Sequence, residues 1–226
     1  MNIVTKKIDR TVDETEGRAR ILTGWQLQLV ALVAFMWSLF QLWYASPLPF
    51  IVGFGVLIDV PARAIHLGFA LFLTFLSFPF LKRDRRKKFG LINFCLAIVA
   101  FFCTFYLFYN YEALVYRNGV LLTHEINIFE RQFNFPTELI LGMVGILLLL
   151  ESTRRAIGTP LVIVALIFLL YSIFGQSMPE MISHQGLSLK RLVGYHWFGG
   201  EAIFGIPISV SVSFVFLFVL FGSMLD

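Results

Sequence analysis

Apolar runs of membrane-crossing length recur along this chain, and one of them, ISVSVSFVFLFVLFGSML at residues 208–225, holds no charged residue at all. A hydrocarbon core of about 30 Å requires about 20 such residues in a helix. Six runs qualify as candidates: 24–45, 64–81, 90–109, 137–150, a shorter one opening at Pro160, and 203–225. Composition leaves little alternative. Of 226 residues 58% are hydrophobic and 14% charged, with a mean hydropathy of +0.80, more apolar surface than a soluble interior of this size can hide. The expected fold class is all-α: a polytopic transmembrane helical bundle of about six spans. The fourth and fifth runs are separated only by ESTRRAIG and read as a tight helical hairpin.

Lysine and arginine placement sets the expected orientation. The N-terminal tail carries five, the run KRDRRKK at 82–88 six, and the ESTRRAIG turn two, which is thirteen of the eighteen. Placing these in the cytoplasm leaves Arg63, Arg117, Arg131, Lys190 and Arg191 outside, and puts both chain ends inside. The polar first residues, MNIVTKKIDRTVDETEGRAR, predict an uncleaved cytoplasmic tail over 1–23. The net charge of +4 therefore reads as a membrane-orientation signal that also favours anionic lipid headgroups, and nucleic acid is not an expected partner. On the outer side, the loop 110–136 carries Glu112, Glu125 and Glu130. The loop 176–200 carries Lys190 and Arg191 beside Leu187, Leu189 and Leu192, the pattern of a short amphipathic helix on the membrane surface. These five charged residues are the candidate partner contacts.

Catalytic chemistry finds little support. There is no phosphate-binding glycine loop with a lysine and no G-x-S-x-G elbow. His66, His124, His184 and His196 lack close metal-binding spacing, and Cys95 and Cys103, eight apart in one apolar run, read as small hydrophobes. No enzyme, cofactor or metal site is expected. The polar groups near membrane depth are the better candidates. Glu151 lies three and four residues before Arg154 and Arg155, so the three can pair on one helix face. Such a group can lock the cytoplasmic hairpin, or contact a lipid headgroup or another subunit. In the last run Gly205, Ser209 and Ser213 recur every four residues as a small-residue packing stripe. Gly205 and Pro207 interrupt that run near its start, which suits either the irregular backbone of a transporter or an ordinary first helical turn.

Two stretches carry a family likeness. LLLLESTRRAIGTPLVIVALIFLLYSIFG and HQGLSLKRLVGYHWFGGEAIFGIPISVSVSFVFLFVLFGSMLD, with RAIHLGFALFLTFLSFPF before them, resemble the fused permeases of tripartite ATP-independent periplasmic (TRAP) transporters, nearest to the TAXI-type branch. The likeness runs from 63 to 226 and is weakest over 115–135. It implies a four-helix scaffold similar to the small subunit over 24–158 and the start of a large transport domain over 159–226, which the family continues well beyond this point. It further implies import of a small organic anion, delivered by a periplasmic binding protein and driven by a Na⁺ or H⁺ gradient, across the bacterial inner membrane. The remainder of the large domain would be a partner, and the substrate and cation sites would lie there, so none is carried onto these residues. The chain is thus expected to be an N-terminal portion of such a permease. A membrane protein with a structural or assembly role and no transport activity of its own is the alternative.

Overall fold

The computed structural model describes residues 19–20, 22–80, 90–117, 120–128 and 131–225. The basic run 82–88, nearly all of the tail, and Glu130 lie outside them. Among the described residues the chain is helical apart from one ribbon. Helix α1 spans Trp25–Ala45, α2 Leu48–Val52, α3 Asp59–Ser77 and α4 Leu91–Tyr116. After the ribbon come α5, Thr137–Ala156, and α6, Thr159–Phe174. A short α7, Leu189–Val193, runs on into a π-helical turn, Gly194–Phe198. The closing helix is α8, Ile206–Val210, a π segment, Ser211–Val215, and α9, Phe216–Leu225.

Among the described residues, five helical stretches are long and apolar enough to cross a membrane: Trp25–Ala45, Asp59–Ser77, Leu91–Tyr116, Thr159–Ser177 and Ile206–Leu225. The sixth expected crossing, α5, is a full 20 residues, about 30 Å at 1.5 Å per residue. It falls outside that set because Glu138, Glu151, Arg154 and Arg155 lie within it.

Helix α3 is the centre of the bundle. Ala62, Ala64, Phe75 and Leu76 are fully buried, and opposite them Ala97, Ala100 and Leu107 of α4 are equally so. Small residues let the two backbones approach: a methyl group added at Gly68 would come within 2.6 Å of Thr104 Oγ1. The start of α3 lies earlier than the apolar run beginning at 64. Asp59 and Pro61 both suit a first turn, a carboxylate at the positive helix end and a residue whose missing N–H is not needed there. Arg63 then reaches back to Asp59 at 3.3 Å and donates from Nη1 to the Phe204 carbonyl at 2.8 Å, tying α3 to the approach to the closing helix.

The loop expected after the third span contains regular structure. Helix α4 continues to Tyr116, which places Glu112 on its exposed last turns. Strands β1, His124–Ile128, and β2, Arg131–Phe135, then pair antiparallel, with Ile126 opposite Phe133. Among the described residues the chain is helical as expected apart from this one ribbon, which holds Glu125.

The surface helix expected around Leu187–Leu192 docks into the bundle. Leu192, Val193, Trp197 and Phe198 are buried, while Lys190 and Arg191 stay exposed. The docking surface is the glycine face of α5. A methyl group at Gly142 would meet Val193 Cγ1 at 2.4 Å, and one at Gly145 would meet the Trp197 ring at 2.3 Å. Glycine at 145 leaves room for the Trp197 ring, and glycine at 142 leaves room for Val193 and Phe198. The connection from α6 is held by His184, whose Nδ1 accepts from the Gly186 N–H at 3.0 Å while Nε2 donates to the Tyr171 carbonyl at 3.0 Å.

Candidate functional site

Among the described residues, the buried polar side chains include three groups that join elements of the helical bundle. The first joins α1, α3 and the closing helix. His66 is 6% exposed, and its Nδ1 accepts from Trp37 Nε1 at 3.3 Å and from the Gln41 side-chain amide. An indole N–H can only donate, so Nδ1 is the acceptor and the ring hydrogen resides on Nε2. That hydrogen is directed to Ser211 Oγ at 3.1 Å. Ser211 opens the π segment of the closing helix. A π turn holds one more residue than an α turn and leaves its backbone more loosely bonded, and such insertions recur at functional places in helices. The geometry gives one polar seam between the helices expected to form a scaffold and the last helix of the chain.

The second group lies where α5 begins. Glu138 is fully buried. Arg117 donates to it from Nη2 at 2.8 Å and from Nη1 at 3.2 Å, the Tyr106 hydroxyl at 3.0 Å, and the Leu122 N–H at 2.5 Å. Four donors from α4 and the following loop thus converge on one carboxylate. Its lone pairs are filled, so it is a fixed brace and offers nothing further to a ligand.

The third group closes α5. Arg154 contacts Glu151 at 2.7 Å and 2.9 Å, and Arg155 contacts it at 2.7 Å while donating to Asn93 Oδ1 at 2.9 Å. The spacing that suggested pairing within the helix is joined here by a bond to α4 that spacing alone does not reveal.

In the closing helix, Gly205 is the N-cap residue in extended backbone and Pro207 falls in the first turn. Pro207 therefore leaves the helix unbroken, and the mid-span irregularity is the π segment. Gly205 is buried, Ser209 and Ser213 are half-buried, and the Ser213 hydroxyl donates to the Ser209 carbonyl at 2.9 Å. The side chain that reaches another helix is Ser211, two residues from Ser209 and Ser213 and so about half a turn round the helix from that stripe. Lys190 and Arg191 line a surface groove with Val120 and Leu121. Glu112 lies on α4 and Glu125 on β1. Among the described residues no group of three His, Cys, Asp or Glu is placed to hold a metal ion.

Sequence reading missed Trp37, Gln41, Ser211, Glu138 and Arg117. Gln41 and His66, polar residues within or at the start of apolar runs, were the available signal. Replacing Ser211 by alanine is expected to cost about 0.5–1 kcal/mol, the scale of one interhelical hydrogen bond in a membrane. The shift of the unfolding transition of the detergent-solubilised chain measures it, and a shift of zero would remove the seam from the packing account.

Comparison with family models, with curated proteins and with solved structures finds no match to this chain.

Proposed function

We propose that this chain is a membrane component of a TRAP-type secondary transporter of the bacterial inner membrane. In this reading six helices cross, both ends are cytoplasmic, residues 24–158 form the scaffold and residues from 159 on belong to the transport domain. Its partners are the remainder of the large permease domain, a periplasmic binding protein and membrane lipid. The cargo is a small organic anion, driven by a Na⁺ or H⁺ gradient. The sequence likeness supplies the family. The observation that carries the reading is the irregular closing helix, whose π segment presents Ser211 to His66 across the expected scaffold boundary. Interrupted spans seated on a fixed frame are how secondary transporters build their moving parts.

The test is uptake into proteoliposomes holding the permease that includes this chain, with its binding protein outside and a Na⁺ or H⁺ gradient imposed. Uptake of an organic anion that needs both the binding protein and the gradient is the expected result. Stable incorporation with no uptake above protein-free vesicles, under either gradient, would favour the structural or assembly role instead.

A further inference from the structure

The end of α5 carries more positive charge than its hairpin needs. One carboxylate, Glu151, faces two guanidiniums, so the cluster keeps a net positive charge. Both arginines are oriented by aromatic rings: Arg154 lies 4.4 Å over Phe80, and Arg155 lies 4.9 Å from Phe75 and 5.5 Å from Phe80. Beside them is a cavity of about 260 Å³ walled by Pro79, Phe80, Arg154, Arg155, Gly158 and Thr159. Glu151 does not line it. The carboxylate thus holds the guanidiniums from one side, and the groups facing the cavity are cationic.

Two features keep that wall open. Gly158, at φ 128°, takes a backbone conformation that side-chain-bearing residues rarely adopt, and it turns the chain straight from α5 into α6. The hairpin therefore closes without a side chain that would fill the cavity. Arg155, with 2% of its side chain exposed, is fixed by Glu151, Asn93 and two rings, so its position is set before any ligand arrives. Arg154, with 29% of its side chain exposed, has the more accessible guanidinium.

We propose that this cavity binds a phosphate group, supplied either as the headgroup phosphate of an anionic lipid or as free inorganic phosphate. Paired guanidiniums match the tetrahedral oxygens of phosphate with charge-assisted, forked hydrogen bonds, which an ammonium cannot reproduce. The volume lies at the small end of ligand cavities, so it suits a headgroup and excludes a large solute. The first turn of α6, beginning at Thr159, places a positive helix end beside the same wall. The site stands on this local geometry and does not depend on the transport reading.

The test uses the whole purified chain in neutral detergent. Thermal unfolding is followed with phosphatidylglycerol, with phosphatidylcholine, and with sodium phosphate against sodium chloride at matched ionic strength. The site predicts stabilisation by phosphatidylglycerol over phosphatidylcholine, and Arg154→Gln lowers the apparent affinity about tenfold, the scale of one charge-assisted hydrogen bond. Lys190→Gln, on α7 and outside the lining of this cavity, leaves that affinity unchanged. Stabilisation by phosphatidylglycerol alone assigns the source to the membrane; stabilisation by sodium phosphate that competes with the lipid assigns it to the free anion. If Arg154→Gln does not accumulate, the wild-type chain and Arg154→Lys decide. Arg154→Lys keeps the charge and loses the fork, so it binds more weakly than wild type. No preference for either phosphate probe in the wild type, or equal losses in Arg154→Gln and Lys190→Gln, overturns the proposal.

Discussion

Replacing Arg117 by alanine is expected to destabilise the chain by about 3–5 kcal/mol, the cost of leaving a buried charge without its partner. Glu138 is fully buried, and two of its four hydrogen bonds come from the Arg117 guanidinium. With Arg117 gone, the Tyr106 hydroxyl and the Leu122 N–H remain, which satisfy lone pairs but supply no opposite charge. Glu138→Gln should recover part of the loss when added to Arg117→Ala, because it removes the stranded charge and keeps an acceptor. The shift of the unfolding transition, read for the two single variants and the double, gives the coupling. A shift below about 1 kcal/mol for Arg117→Ala, the range of an exposed ion pair, would mean the pair is not the brace described here.

The second large effect is expected at Gly145. A methyl group there would lie 2.3–2.6 Å from three atoms of the Trp197 ring, which is fully buried and has no room to withdraw. Overpacking of this kind costs about 1–3 kcal/mol, and more where neighbours are rigid. Gly145→Ala should therefore undock the segment Gly194–Phe198 or lower stability by that amount. Among the described residues the buried indole Nε1 has no hydrogen-bond partner, so Trp197→Phe gives up packing area without breaking a polar contact there. Its smaller ring should relieve the clash, and the double variant should be more stable than the sum of the two single losses. Additive losses would show that the two residues do not press on each other.

How far the sequence carried the fold depends on the physical signal each element has. Apolar runs announce helices because lipid demands length and hydrophobicity together, and every run considered is helical over most of its span. Their ends were less legible. Helix α3 starts at Asp59, before its apolar run, since first-turn chemistry and the bond from Arg63 to the Phe204 carbonyl extend it. The ribbon had a signal that went unread: Ile126 and Ile128, then Phe133 and Phe135, alternate with polar residues at the period of a strand. The π segment at Ser211 has no such signature, because an extra residue in a turn changes hydrogen bonding and not composition. Docking of Leu189–Phe198 was also hidden. Its leucines suggested a surface helix, whereas the surface it packs on is made by the absence of side chains at Gly142 and Gly145.

The polar groups divide in the same way. Glu151, Arg154 and Arg155 were legible because their contacts are three and four residues apart along one helix. The bond from Arg155 to Asn93 crosses 62 positions, and that from His66 to Ser211 crosses 145. No local pattern encodes such distances, and single polar residues in apolar runs were their only trace.

The proposed six-span permease rests on α5 crossing the membrane, charges included. If it crosses, Glu112 and Ile157 lie on opposite sides; if it does not, they share one. With Cys95→Ser and Cys103→Ala as background, single cysteines at Glu112, Ile157 and Lys190 can be probed with a membrane-impermeant maleimide on intact and permeabilised cells. The account predicts that Glu112→Cys and Lys190→Cys react in intact cells and Ile157→Cys reacts only after permeabilisation. Labelling of Ile157→Cys from outside, or of Glu112→Cys and Ile157→Cys from the same side, would contradict the six-span permease.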